Sequence, residues 1–285
     1  MAFVDSPLRY PGGKSCLYDF TREIIHLNEL VHHDYAEPFA GGCGLALSLL
    51  YGGLAGEIHI NDIDPGVWSF WNAVLNKTDQ LVELIEKTPV TLSEWENQKN
   101  ILKSSRGLAL GFATFFLNRT NRSGIIKKAG VIGGLKQDGK YLIDCRFNKP
   151  ELIRRIRRMA KYKNRIHLTN LDALEFLANK RSAIPESALF CIDPPYYKKG
   201  ASLYTSFYRP QDHVILARAV RSLKNPWMVT YDNVPEISEI YKAQKQFTFS
   251  INYSANVKRI GTELLIAPKK LKIPANWAEL ALAPA

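Results

Sequence analysis

The 285-residue chain predicts an α/β fold: a Rossmann-like, mainly parallel sheet with helices on both faces and an antiparallel C-terminal pair, plus an inserted, mostly helical domain with a β-hairpin. Three observations carry this. Short apolar runs near 35–37, 57–60, 165–168, 188–192 and 227–231 each read as a buried strand, and helical patterns lie between most of them. A basic segment of different pattern interrupts the alternation. Two further runs, 247–253 and 263–267, close the chain as an antiparallel pair.

Composition narrows the class. Hydrophobic residues make up 46% of the chain, enough for a sizeable core. No apolar span of membrane length and no signal pattern is present, so an intracellular, cytoplasmic protein is expected. Cys16, Cys43, Cys145 and Cys191 form no C-x-x-C pair, and His32-His33 is a poor metal pair; reduced thiols and no metal are expected. The net charge is +11, and it is localised. Residues 119–165 hold fifteen Lys and Arg against three acids, a net +12. A field confined in this way points to a polyanion.

In order, Tyr10-Pro-Gly-Gly-Lys14 precedes a helix from Cys16 to Leu30. Its glycines permit close backbone approach and Lys14 supplies a cation, but the spacing is not that of a Walker A loop. Glu37-Pro-Phe39-Ala-Gly41-Gly-Cys-Gly44 follows a strand and opens a helix, whose first N–H groups face any ligand there. The next strand ends in Asn61-Asp62, 18 residues after Gly44, where such folds hold a nucleoside ribose. The competing reading of Asp62 is a helix cap before Pro65. Trp68–Leu75 reads as a helix with core aromatics, 79–104 as helical with a break at Pro89, and 108–117 as a buried helix.

Asn118-Arg119-Thr-Asn121-Arg122 then opens the basic segment. Asp138-Gly139 between strand-like runs signals a hairpin over 125–141, one that a DNA groove would accept. Asn148 is placed to cap a helix over 151–163, with apolar residues on one face and arginines on another. A strand at 165–168, a helix at 174–179 and the strand ending in Asp193-Pro194-Pro195-Tyr196 complete the pattern, followed by a helix over 210–222 and a strand over 227–231. The prolines end the strand and stiffen a turn carrying a carboxylate and a ring. A plain strand-ending turn accounts for that stretch taken alone.

Together, Tyr10-Pro-Gly-Gly-Lys14, Glu37-Pro-Phe-x-Gly-x-x-Gly44, Asn61-Asp62-Ile63 and Asp193-Pro-Pro-Tyr196 resemble the motifs of the Dam-type, D12-class DNA adenine methyltransferases in their alpha arrangement. The likeness runs from about Ser6 to Pro268. It implies an S-adenosyl-L-methionine-binding catalytic domain, 1–76 with 165–285, and a target-recognition domain, 77–164. It implies cofactor contacts from Tyr10, Lys14, Glu37, Phe39, Gly41, Gly44, Asp62, Leu171, Asp172 and Asp193, and catalysis by Asp193, Pro194, Pro195 and Tyr196. Arg119, Asn121, Arg122, Lys127, Lys128 and Arg146 are expected on DNA. Thr120-Asn-Arg-Ser123 departs from the commoner wording of the family, so GATC is not assumed as the target.

The implied reaction is methylation of the adenine N6 amino group in duplex DNA by base flipping. Asp193 and the Pro194 carbonyl would accept the two amino hydrogens, localising a lone pair otherwise delocalised into the ring, and Tyr196 would stack on the extruded base. No cysteine follows a proline, as a carbon methylase would need. The expected state is a monomer, with a restriction endonuclease as a functional partner. The competing readings are an amino-methyltransferase for RNA adenine or cytosine N4, and an inactive DNA-binding relative. A nicotinamide oxidoreductase leaves Asp193–Tyr196 and the basic segment unexplained.

Overall fold

The computed structural model describes residues 5–9, 14–178, 183–198, 208–253 and 259–276. Its residues gather into two compact units: Gly13–Ile63 with Arg165–Ala285, and Asp5–Gly12 with Asp64–Asn164. On the amino side the second unit resumes at Asp64. A short stretch before residue 13 also belongs to the inserted unit.

The first unit is built on a sheet ordered β3-β2-β1-β4-β5-β7-β6. The strands are β1 (Tyr35–Glu37), β2 (Ile58–Asn61), β3 (Ile166–Thr169), β4 (Leu189–Ile192), β5 (Trp227–Asp232), β6 (Lys245–Tyr253) and β7 (Arg259–Ala267). The first five pair in parallel, whereas β7 runs antiparallel to both β5 and β6. The central strands β1 and β4 are buried along their whole length, as unbroken apolar runs in a parallel sheet must be.

The chain leaves β1 for β2 in one direction and β4 for β5 in the other. Right-handed crossovers then place the connecting helices on opposite faces. Helices α1 (Tyr18–Leu27) and α2 (Gly44–Tyr51) precede and follow β1. Against the opposite face lie α8 (Ala173–Leu177), α9 (Pro210–Arg221) and α10 (Pro235–Ile240). Here Phe176, Leu216, Val220, Ile237 and Tyr241 pack on Ala36, Phe190, Ile192, Val229 and Tyr231. Those sheet residues alternate along their strands, so they share one face.

The second unit is helical: α3 (Pro65–Asn76), α4 (Thr78–Lys87), α5 (Leu92–Ser104), α6 (Gly107–Thr120) and α7 (Lys149–Lys161). Its core is aromatic. Phe70 stacks on Phe115 at 5.3 Å, and Phe147 packs on Phe115 and Phe116. Gly111 sets how closely α6 lies on α3, because a Cβ there would sit 2.6 Å from the Ser69 carbonyl oxygen. Asn148 caps α7 as expected, its side chain accepting from the Glu151 N–H at 3.2 Å. Leu152, Ile156 and Met159 are its buried stripe.

The expected β-hairpin does not form. Between α6 and α7 the described backbone has one isolated bridge, Asn121 to Val131, a short 3₁₀ helix over Arg122–Gly124, and otherwise turns and bends. Gly133 and Gly134 both take positive φ, which breaks the alternation a strand needs. The Gln137 side chain then ties the loop to itself, donating to the Ile132 and Gly134 carbonyls and accepting from the Ile143 N–H.

Candidate active site and nucleic-acid interface

Strand β1 lies between β2 and β4, and the chain departs in opposite senses on its two sides. Such a reversal opens a crevice at the carboxyl ends of the strands, where open α/β sheets bind ligands. Four expected site segments follow the carboxyl ends of their strands: Pro38–Gly44 after β1, Asp62 after β2, Leu171 and Asp172 after β3, and Asp193 after β4.

The glycine-rich turn has a specific shape. Gly41 takes φ +46°, and Cys43, although not a glycine, takes φ +52° at the start of α2. Left-handed backbone at a β-carbon-bearing residue costs energy and persists where the surroundings impose it. One surrounding group is Asp62: its Oδ2 accepts from the Gly41 N–H at 2.9 Å. The alternative reading of Asp62 as a helix cap falls away, because Asp64 caps α3 through the Gly66 and Val67 N–H groups. Asn61, fully buried, joins three strand ends. It donates to the Pro38 and Leu171 carbonyls, and it accepts from Thr169 Oγ1 and the Leu171 N–H. Asp172 spends one oxygen capping α8 at Leu174. Phe39 lies edge-on to Tyr208 at 5.9 Å. Tyr10 is outside the described residues.

Asp193 stands in a cluster of opposed charges. Lys14 Nζ is 2.9 Å from its Oδ1, and Thr230 Oγ1 donates to the same oxygen at 2.7 Å. The Asp193 side chain retains 22% exposure, against 4% for Lys14. Burial pushes the Asp193 carboxyl up from the usual range; Lys14 opposes this, and the negative charge of Glu263 adds to it. Glu37, also buried, hydrogen-bonds Tyr35 Oη at 3.0 Å. Desolvation raises its carboxyl to about 8 despite that bond, so it is predominantly neutral at pH 7. Pro194 is buried and Pro195 half-buried.

Two placements differ from the roles expected. Tyr196 is only 4% exposed, and its hydroxyl donates to Glu263 Oε1 at 2.5 Å; as found, its ring has little face to offer a base. Asn121 is 2% exposed. Its Oδ1 accepts from Trp95 Nε1 at 2.7 Å and its amide donates to the Ile125 and Ile126 carbonyls, which leaves it no group for base edges. Arg119 is half-buried and donates through Nε to the Arg146 carbonyl at 2.7 Å. Burial, with Arg9, Arg155 and Arg146 nearby, depresses its pKa, although a guanidinium stays protonated at neutral pH. Arg122, Lys127, Lys128 and Arg146 are exposed, and Lys127 is 3.4 Å from Asp64.

Sequence reasoning missed Glu263, Thr230 and Asp232, and it quoted Asn61 only within the Asn61-Asp62-Ile63 motif, without its role of joining strand ends. The Asp232 carboxylate accepts from the Tyr197 and Lys198 N–H groups at 2.8 and 3.1 Å, holding the turn after Asp193. The signal available for Glu263 was an acid at the head of the apolar run 264–267 in β7, a strand paired on both sides.

The sheet unit thus carries an acid-bearing turn beside the switch point, and the basic residues belong to a separate helical unit. The family model for D12 class N6 adenine-specific DNA methyltransferases matches residues 10–258, and the chain belongs to that family. It is an adenine-specific DNA methyltransferase, and methyltransferases in general use S-adenosylmethionine. No curated protein matches it. Among solved structures, protein LPL1258 from Legionella pneumophila str. Philadelphia 1 is similar at a TM-score of 0.36 and 12% identity, over 94% of this chain and 88% of that one.

Proposed function

We propose that the chain transfers a methyl group from S-adenosyl-L-methionine to the N6 amino group of adenine, at one sequence in duplex DNA, with the target base drawn out of the helix. The observation that carries this reading is Asp193, fixed by Lys14 and Thr230 on a proline-stiffened turn beside the switch point.

The residues present fit the cofactor. Asp62 beside the left-handed glycine turn suits ribose hydroxyls, and the first N–H groups of α2 suit a carboxylate. Lys14, Glu37, Phe39, Gly41, Gly44, Leu171 and Asp172 complete the contacts we assign to it, with Tyr10 added from the sequence motif. When bound, the cofactor supplies a methyl group already activated on sulfur. The protein's task is the other partner. An adenine amino nitrogen is a weak nucleophile, because its lone pair is shared with the ring. Asp193 accepts one amino hydrogen and the Pro194 carbonyl the other, which localises the lone pair and aims it. Alignment of this kind lowers a barrier by several kcal/mol. Pro195 continues the rigid turn. Stacking by Tyr196 requires its ring to be uncovered when DNA binds.

Carbon methylation is disfavoured by a specific observation. The cysteine nearest the turn, Cys191, is buried, and desolvation holds its thiol far above the range of a nucleophile. DNA would be held by Arg122, Lys127, Lys128 and Arg146 in the second unit, with Arg119 shaping the surface they stand on. The enzyme would act as a cytoplasmic monomer, paired in function with a restriction endonuclease or working alone.

The test is methyl transfer from labelled cofactor by the purified chain to random-sequence duplex DNA, single strands and RNA, followed by nucleoside analysis. N6-methyladenosine of the deoxy series from duplex DNA supports the reading. Label in RNA only, or N4-methylcytosine as product, overturns it.

A further inference from the structure

Glu263 has no place in the expected machinery, yet it is an acid fully buried within β7. Its two oxygens meet two parts of the site. Oε1 accepts from Tyr196 Oη at 2.5 Å, and Oε2 lies 3.3 Å from Lys14 Nζ. Lys14 therefore bridges two carboxylates, Asp193 at 2.9 Å and Glu263 at 3.3 Å, with its ammonium also 5.5 Å from the Tyr196 ring centroid. A buried acid is costly unless it is paired, and this one spends its pairing on the catalytic turn and its lysine.

The strand register explains the position. Glu263 is directly opposite Asp232 on β5, and Asp232 holds the Tyr197 and Lys198 N–H groups. Adjacent residues of β5 and β7 thus grip the same turn, one by its backbone and the other by the Tyr196 hydroxyl. Thr230, two residues before Asp232 on β5, orients Asp193 itself.

We propose that Glu263 is a positioning residue for methyl transfer: through Tyr196 Oη and Lys14 it braces the Asp193–Tyr196 turn, so the antiparallel strand pair serves as the rigid support of the catalytic acceptors. This rests on the assignment of Asp193 to catalysis. A site held by packed, hydrogen-bonded supports keeps its geometry, and a displacement of about 1 Å costs on the order of 100-fold in rate. Glu263 does not touch the reacting atoms in this scheme. Its removal should leave binding largely intact and act on turnover.

The test compares Glu263→Gln, Glu263→Ala and Tyr196→Phe in the full chain. Glutamine keeps an acceptor for the Tyr196 hydroxyl and loses the charge facing Lys14; alanine loses both. Turnover should fall about 10–100-fold in the alanine variant and less in glutamine, with cofactor and DNA affinities within about threefold of the parent. Tyr196→Phe combined with Glu263→Ala should cost less than the product of the single losses, because both break one contact. The acid limb of the pH–rate profile should move to lower pH in Glu263→Gln, since the Glu263 charge is one of the influences raising Asp193. Hydrogen exchange gives a reading independent of activity: the Tyr197 and Lys198 amides should exchange faster in Glu263→Ala and stay protected in Glu263→Gln. Unchanged exchange and turnover in folded Glu263→Ala would overturn the brace. If the parent transfers no methyl group to any nucleic acid but the exchange pattern follows the prediction, the brace stands and the catalytic reading fails.

Discussion

At the residue scale, one lysine faces three buried or half-buried acids: Glu37, Asp193 and Glu263. Lys14 touches the last two, and Glu37 meets the low dielectric by keeping a proton. Stability follows from that proton. The Glu37 carboxyl sits near 8 in the folded chain, against an ordinary 4.5, so between those values the folded state binds a proton that the unfolded chain has released. Its stabilising contribution is complete below pH 4.5 and is lost as pH rises through about 8. Urea midpoints measured from pH 5 to 9 should decline, with a slope of up to about 1.4 kcal/mol per pH unit from this one group. In Glu37→Gln the decline should flatten; an unchanged slope would assign it to other groups. Asp193, Lys14 and Asp62 were legible in the sequence because each belongs to a short motif. Glu263 was not, because it meets Tyr196 and Lys14 only through strand pairing that spans most of the chain.

At the element scale, the strands and most helices followed from period and punctuation. Pro194 ended β4, and Asn148 with Pro150 opened α7. The β-hairpin failed for a local reason. Asp138-Gly139 is a good turn, but Gly130, Gly133 and Gly134 stand where a strand should have led into it, and Gln137 supplies the hydrogen bonds a ladder would have made. Asn121 looked like a base reader because it lies among arginines; a tertiary contact, Trp95 Nε1 at 2.7 Å, claims its carbonyl oxygen instead. Packing of α3 on α6 depends on Gly111 in a way that sequence alone did not reveal. Gly111→Ala should destabilise the chain by about 1–3 kcal/mol, because its Cβ meets backbone and not a yielding side chain. A chemical denaturation curve overlaying that of the parent would show that the helices can separate without penalty.

At the scale of the whole molecule, the clustered acids and the positive charge belong to different units. The acids and the glycine turn lie in the sheet unit, and the net +12 of residues 119–165 lies almost wholly in the helical one. Part of that charge is committed internally: Arg154 and Arg155 pair with Glu151, and Arg158 pairs with Asp5. Arg122, Lys127, Lys128 and Arg146 are exposed, Lys127 beside Asp64, and are the side chains proposed to meet a phosphate backbone. Replacing Arg122 and Arg146 by alanine should weaken DNA binding at every salt concentration and make the slope of log affinity against log salt shallower by about 1–2. An unaltered slope would place the phosphates elsewhere.

The account turns on Asp193 as the acceptor that readies an adenine amino group. The most direct measurement is sequencing of modified bases in DNA from cells that lack other methylases and express either the parent chain or Asp193→Ala at equal levels. The account predicts N6-methyladenine at one recurrent sequence with the parent and none with the variant. N6-methyladenine persisting in the Asp193→Ala cells, or N4-methylcytosine from the parent chain, would contradict it.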